Sequence, residues 1–148
     1  MIYLGEHDPE LQKILEKKRA AIQTKSKFFE MIETEDVTEV KDDSIEKIIQ
    51  ESPLPVIVDF SADDWCRPCQ VVAPIYKALS LDYKGKMVFL KINTDHNQRS
   101  AGRYRIMSVP TFVIFYKTAQ IIRKSGAMNK KDFAKWIESA LGHIKNKS

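Results

Sequence analysis

The sequence predicts an α/β domain with a central mixed β-sheet of about five strands, flanked by helices and preceded by an N-terminal helix. From about residue 36 onward, short apolar segments alternate with amphipathic ones, as strands alternate with helices. Two of the apolar segments are nearly continuous, which is typical of strands buried on both faces of a sheet. The last two strand-like segments are separated by a short turn, which indicates an antiparallel hairpin. The pattern therefore combines parallel and antiparallel neighbours in one sheet.

Residues 1–35 are predicted to form a helical extension, and the domain is predicted to cover 36–148. A single helix is expected from about Asp8, which suits an N-cap, to about Glu33. Pro9 suits the first helical position. Several apolar residues recur near helical spacing: Leu11, Ile14, Leu15 and Ile22. The helix is expected to pack on the domain through this face or to use it for self-association or partner docking.

The first half of the domain is predicted to contain two strands and a short helix. We expect an edge strand at Asp36–Lys41 and a helix that is capped by Ser44 and runs through Glu51. Pro55–Ser61 is apolar except for Asp59, so we predict a strand buried on both faces.

The second half of the domain begins with the helix that contains both cysteines. This helix is predicted to continue to about Tyr83, with Pro74 kinking it from within. The elements predicted after it are a turn at Lys84–Lys86, a buried strand at Met87–Asn93, a short helix at Gln98–Tyr104, strands at Thr111–Lys117 and Gln120–Lys124 around Thr118–Ala119, and a last helix capped by Asn129.

Composition argues against two classes of function. The formal charge of +4 comes from interspersed basic and acidic residues, without the basic footprint of a nucleic-acid-binding protein. No segment approaches the ~20 apolar residues of a membrane span. The opening residues, MIYLGEHDPELQK, lack the charged start and apolar core of a signal peptide. We therefore expect a cytoplasmic protein without membrane association.

The two cysteines form one Cys-x-x-Cys motif that follows a buried strand and opens a helix. Cys66 would lie at the helix mouth, where the dipole and the unpaired N–H groups lower the pKa of a thiol. We predict that Cys66 is the exposed nucleophile. Cys69 lies in the first turn, less exposed but close enough to attack a mixed disulfide at Cys66. Pro68 fixes the backbone between them without removing a needed hydrogen bond.

Metal binding is the alternative use of this cysteine pair. Tetrahedral zinc usually takes four nitrogen or sulfur ligands. His7, His96 and His143 show no ligand spacing to the pair, so only zinc shared between two chains would complete a site. We predict a redox-active dithiol with no metal and no bound cofactor.

The segment VIVDFSADDWCRPCQVVAP resembles the active-site strand and helix of the thioredoxin family. The resemblance extends from about Asp36 to about Gly142 and implies the thioredoxin fold. It also implies dithiol–disulfide exchange that reduces disulfide-containing proteins, with a thioredoxin reductase as the electron donor.

The resemblance assigns roles to residues outside the cysteine pair. Asp59 matches the buried acid that manages the proton of the resolving cysteine, and Lys91 matches the basic residue that often pairs with it. The structural alternatives are that Asp59 is a hydrogen-bonded core residue and that Lys91 extends its ammonium to solvent without a catalytic role. The residues that match the substrate-binding surface are Trp65, Arg67, Pro68, the cis-proline loop Val109-Pro110-Thr111, and Gly126. Trp65 could instead be a packing residue.

Two departures from the family pattern affect the site. Arg67 stands where glycine is usual, and a guanidinium beside the dithiol favours the thiolate, which makes a protein more oxidising. A disulfide oxidase or isomerase is therefore one alternative, and an adaptor that docks a partner through the N-terminal helix is another. The segment from Asp59 to Cys66 is one residue longer than usual, with Asp63-Asp64 in the place of one residue. We expect a bulged loop before Trp65.

Overall fold

A computed structural model of the chain describes residues 9–19 and 36–147. Residues 9–19 are helical (α1), which confirms that part of the predicted extension. Within α1, Ile14 and Leu15 are exposed. The proposed cap at Asp8 and the predicted course of the helix from residue 20 to Glu33 lie outside the described residues.

The domain is built on a five-stranded mixed sheet, as predicted. The strands are β1 (Thr38–Glu39), β2 (Val56–Ser61), β3 (Val88–Asn93), β4 (Thr111–Tyr116) and β5 (Ala119–Ser125). Their order across the sheet is β1-β3-β2-β4-β5. The first three strands run parallel, β4 is antiparallel to β2, and β5 is antiparallel to β4. The parallel strands β2 and β3 therefore end at the same edge of the sheet.

Helices cover both faces of this sheet. They are α2 (Ile45–Glu51), α3 (Arg67–Asp82), α4 (Gln98–Arg103) and α5 (Lys130–Lys147). Every residue of β2 is buried, and its side chains alternate between the two faces. Val58 packs with the α2 face, whereas Ile57 packs with Tyr76 of α3 and Phe133 of α5. The near-continuous apolar run of β2 is explained by this burial on both sides.

The predicted caps have different outcomes. The amide N–H of Asp132 donates to Asn129 Oδ1 at 2.8 Å, so the predicted cap of α5 is confirmed. Ser44 occupies the N-cap position of α2, but the prediction that its side chain caps the helix is wrong. The Ser44 hydroxyl instead donates to the Lys41 carbonyl at 3.3 Å and stabilises the preceding turn.

The hairpin between β4 and β5 turns one residue earlier than predicted. Ala119 already pairs with Tyr116, which leaves Lys117 and Thr118 as the two turn residues. Both have positive φ values, 49° and 70°. This left-handed backbone matches the twist of a two-residue hairpin, and it is usually supplied by Asn or Gly. Lysine and threonine are not typical of a left-handed turn, so the sequence did not predict the turn at these two residues.

Tyr76 is a buried polar link between α3 and the sheet. Its hydroxyl lies 2.6 Å from the Leu90 carbonyl and 3.1 Å from the Ile57 carbonyl. Tyr76→Phe keeps the ring but removes the donor, so we expect the free energy of unfolding to fall by about 1 kcal/mol. Urea denaturation monitored by circular dichroism measures this loss. An unchanged midpoint and slope would show that the hydroxyl contributes nothing to stability.

Candidate active site

The cysteine pair lies where β2 leads into α3. Cys66 is the N-cap of α3, with an extended backbone (φ −86°, ψ 104°), and is disulfide-bonded to Cys69. The two Cα atoms are 5.2 Å apart. The amide N–H of Cys69 donates to Cys66 Sγ at 3.2 Å. Pro68 lies in the first turn of α3, where no intrahelical N–H is needed. The Cys66 sulfur therefore sits at the positive end of a helix dipole beside a backbone donor, an arrangement that stabilises a thiolate.

The two sulfur positions differ little in exposure. Cys66 is 3% exposed and Cys69 is fully buried. The expectation of an openly exposed Cys66 is therefore wrong for this disulfide form, although Cys66 is the more accessible of the two. Its sulfur is bonded to Cys69 and packs against Ala62 and the partly buried Val109, which together cover it.

The loop before β4 faces the disulfide through its backbone. The Val109–Pro110 peptide bond is cis, and the carbonyl oxygen of Val109 lies 3.7 Å from Cys66 Sγ. Thr111 is buried, and its hydroxyl donates to the Ser108 carbonyl at 2.7 Å. The amide N–H of Gly126 donates to the Pro110 carbonyl at 2.8 Å. Gly126 has φ +95°, and this left-handed backbone explains the glycine, since a Cβ here would meet no heavy atom within 4 Å.

Trp65 is a surface residue of the site. It is 65% exposed, which excludes the alternative of a core packing residue. Its indole N–H donates to Asp95 Oδ2 at 2.7 Å. Asp95 follows β3, and Trp65 follows β2, so the contact joins two chain segments that leave the same edge of the sheet. Arg67 and Pro68 are also exposed, and the Arg67 side chain forms no hydrogen bond or ion pair with any of the described residues.

Asp59 is fully buried in the centre of β2. Neither of its carboxylate oxygens has a hydrogen-bond partner among the described residues. The alternative of a hydrogen-bonded core aspartate is therefore wrong. Burial raises the pKa of Asp59 to about 7, an effect that the nearby ammonium of Lys91 opposes and the carboxylate of Asp63 reinforces. At neutral pH such a group exchanges protons readily, as a general acid or base does.

Lys91 does not bind Asp59 directly. The two residues are register partners on β3 and β2, but the Lys91 ammonium forms its ion pair with Asp63. The predicted pairing of Lys91 with Asp59 is therefore wrong as a direct contact. The Lys91 ammonium acts on Asp59 only through a longer-range electrostatic effect. The difference arises because the lengthened loop places a second carboxylate within reach of the same ammonium.

The lengthened loop forms a defined turn. The amide N–H groups of Trp65 and Cys66 both donate to the Ala62 carbonyl, at 3.2 and 2.9 Å. The side-chain amide of Gln70 donates to the Asp63 carbonyl at 2.6 Å. The extra residue predicted from the sequence is thus accommodated in a turn that is hydrogen-bonded both to β2 and to α3.

The comparisons with known proteins agree with this geometry. The sequence model of the thioredoxin family matches residues 36–139. The chain is 40% identical to thioredoxin from Synechocystis sp. over 103 residues, which cover 70% of this chain and 95% of the relative. It is 39% identical to thioredoxin from Rickettsia felis over 102 residues, 69% of this chain and 96% of the relative. The chain belongs to the thioredoxin family. It is a thiol–disulfide oxidoreductase, and Cys66-Arg67-Pro68-Cys69 is its redox-active centre.

The likeness extends to a chloroplastic relative. The chain is 35% identical to the M-type chloroplastic thioredoxin of Chlamydomonas reinhardtii over 102 residues, 69% of this chain and 72% of the relative. The family resemblance and the fold predicted from the sequence are both confirmed. Within the parts of the chain that the structure describes, no helix is long and apolar enough to cross a membrane.

Sequence reasoning missed two contacts of this thioredoxin-family site. Asp63 binds Lys91, and Asp95 binds Trp65. The sequence also did not single out Met107, which is 92% exposed and lies two residues before Val109. Asp95 could have been found, because it lies two residues after a strand that ends beside the strand leading to Cys66. The partner of Lys91 had no comparable signal, because it depends on how the lengthened loop folds.

Proposed function

We propose that this chain is a protein-disulfide reductase of the thioredoxin type. The observation that carries the proposal is the hydrogen bond from the Cys69 amide to Cys66 Sγ at the start of α3. A donor at this position stabilises the Cys66 thiolate that begins disulfide reduction. The N-cap position of Cys66, ahead of the first turn that contains Cys69, supports the same assignment of nucleophile.

The reaction proceeds in two exchange steps. The Cys66 thiolate attacks one sulfur of a substrate disulfide held against the Val109–Pro110 loop. A mixed disulfide forms, and the other substrate sulfur leaves as a thiolate. Cys69 then gives its proton to Asp59 and attacks Cys66 Sγ. The substrate leaves with both sulfurs reduced, and the Cys66–Cys69 disulfide is formed in the same step.

The surface around the dithiol supports binding of an extended protein segment. Trp65, Arg67 and Pro68 are exposed beside the cysteines. On the other side, the Gly126 amide holds the cis-proline loop in place through the Pro110 carbonyl. We assign these residues, with Val109 and Thr111, to the binding of disulfide-containing protein substrates.

The catalytic cycle requires an electron donor, for which we propose a thioredoxin reductase. A reducing role fits a reducing compartment such as the cytoplasm. We also propose that the domain begins at residue 36, as the span of the family match supports. Self-association through residues 1–35 remains a prediction.

The equilibrium reduction potential of Cys66–Cys69 tests the direction of the reaction. A reductase of this type is expected to have a reduction potential of about −270 mV, measured by redox titration with alkylation at each point. A potential between about −180 and −120 mV would contradict the reductase and support the oxidase or isomerase alternative.

Arg67→Gly tests whether the arginine tunes the dithiol. The guanidinium stabilises the Cys66 thiolate and hence the reduced form, so its removal should lower the potential. The same redox titration, with alkylation at each point, measures the shift in the variant. Arg123→Gly, which replaces an exposed arginine outside the Cys66–Cys69 segment, is the matched control and should leave the potential unchanged. An identical potential in the Arg67 variant would assign Arg67 to substrate recognition instead.

A further inference from the structure

Two carboxylates, those of Asp59 and Asp63, lie near the single ammonium of Lys91, beside the strand that leads to the dithiol. Asp59 and Lys91 are register partners on parallel strands, so their side chains point to the same face of the sheet. Lys91 nevertheless forms its ion pair with Asp63. Both oxygens of Asp59 have no hydrogen-bond partner in the described part of the chain. The charge that would neutralise an ionised Asp59 is therefore bound elsewhere.

Asp63 is held in place by its backbone. It follows Ala62, whose carbonyl closes the turn, and its own carbonyl accepts the Gln70 side-chain amide at 2.6 Å. One carboxylate oxygen binds Lys91, and the other is buried without a hydrogen-bond partner among the described residues. The Asp63 side chain is 39% exposed, but its carboxylate is held against the Lys91 ammonium by the ion pair.

The surroundings of Asp59 contain few other charges. Lys91 approaches from β3 and Asp63 from the loop before α3. From α3, Tyr76 and Cys69 lie over the face of the sheet that carries Asp59, and the Tyr76 hydroxyl is bound to backbone carbonyls. The side chains that β4 and α5 bring to this face are apolar, Phe112 and Phe133 among them. Lys91 and Asp63 are therefore the groups able to change the charge state of Asp59.

We propose that Asp63 is a positioning residue for the exchange reaction: it holds the Lys91 ammonium so that the Asp59 carboxyl group stays unpaired and able to carry a proton for Cys69. The inference rests on the proposed proton transfer by Asp59. A direct ion pair between Lys91 and Asp59 would favour the ionised carboxylate and lower its pKa by about 1 to 3 pH units. Asp59 would then be a weaker base and would accept the proton of Cys69 less readily. Capture of Lys91 by Asp63 prevents this, and the negative charge of Asp63 acts in the same direction.

The test is the titration of the Asp59 carboxyl carbon by ¹³C NMR in the disulfide form, in which no thiol titrates. Asp63→Ala releases Lys91, so the Asp59 midpoint should move to lower pH by about one pH unit. Lys91→Gln should move it to higher pH. Asp64→Ala removes the neighbouring exposed carboxylate and is the matched control, which should leave the midpoint in place.

A double variant separates two effects of Asp63 on the Asp59 midpoint: its ion pair with Lys91 and its own negative charge. In the Lys91→Gln background, Asp63→Ala should shift the Asp59 midpoint by less than it does in the natural sequence. Equal shifts in the two backgrounds, or no shift in the single variant, would overturn the proposal.

The pH dependence of turnover connects this titration to the reaction. With insulin as the disulfide substrate, the Asp63→Ala profile should move to lower pH together with the Asp59 midpoint. A profile that stayed fixed while the midpoint moved would overturn the positioning role. A natural sequence that reduced no insulin would instead contradict the reductase function, and the titration would still show whether Asp63 controls Asp59.

Discussion

Cys66→Ser is expected to slow the reduction of substrate disulfides to the uncatalysed rate. Cys69→Ser is expected to trap the substrate as a mixed disulfide with Cys66. Cys66 is the sulfur at the helix N-cap and the more accessible one, and serine cannot replace its thiolate. Cys69 is fully buried, so it does not substitute for Cys66 as the first nucleophile. Without Cys69, the first exchange still occurs, but nothing resolves the mixed disulfide. Insulin reduction and non-reducing electrophoresis measure the two outcomes.

The double variant Cys66→Ser/Cys69→Ser is the control for these experiments and should trap no substrate. Trapping by Cys66→Ser but not by Cys69→Ser would reverse the assigned roles. The adaptor alternative makes a different prediction, because a partner docked through the N-terminal helix stays bound after both substitutions. Removal of residues 1–35 would release such a partner, whereas a disulfide-linked substrate depends on the cysteines alone.

The sheet could be predicted because its strands carry strong local signals. Val56–Ser61 is buried on both faces, and the sequence shows this as an apolar run. The turn at Lys117–Thr118 could not be placed in the same way, since its left-handed backbone is imposed by pairing of the strands on either side. The burial of a strand can be predicted from its apolar residues, whereas the position of this turn depends on how the two flanking strands pair.

In the candidate site, too, the features that local sequence determines could be predicted, and those that depend on tertiary contacts could not. The position of Cys66 at a helix start follows from the order of strand and helix, and local sequence carries that order. The partner of Lys91 does not follow from local sequence, because it depends on a hydrogen-bonded turn that brings Asp63 to the Lys91 ammonium. The small exposed fraction of Cys66 could not be predicted from local sequence either, because the residue that covers it, Val109, lies 43 residues away in the chain.

Asp59→Asn is expected to stabilise the folded protein at pH 8 and to have little effect at pH 4. The pKa of Asp59 is raised from 3.8 to about 7 in the folded chain, mainly because the carboxyl group is buried. Between these values the folded state binds more protons than the unfolded state, so the free energy of unfolding falls as the pH rises. Above pH 7 the penalty is complete, at about 4 kcal/mol. Asparagine cannot ionise and avoids it.

Urea denaturation of the disulfide form at both pH values measures this difference. Any energetic effect of burying the asparagine amide is the same at pH 4 and pH 8, so the change between them isolates the charge of Asp59. Asp64→Asn, an exposed acid in the adjoining loop, is the matched control and should show no such change. A gain of equal size at both pH values would mean that Asp59 is not protonated in the folded state.

The same variant tests why an unpaired carboxyl group remains in the core. If Asp59 accepts the proton of Cys69, Asp59→Asn should slow release of the mixed disulfide by about 10²-fold, a typical contribution of general base catalysis. Stopped-flow measurement of substrate release gives this rate. A variant that gained stability at pH 8 and released substrate at the natural rate would contradict the proton-transfer role. Gained stability together with slowed release would show that the core tolerates an unfavourable charge because the second exchange step needs it.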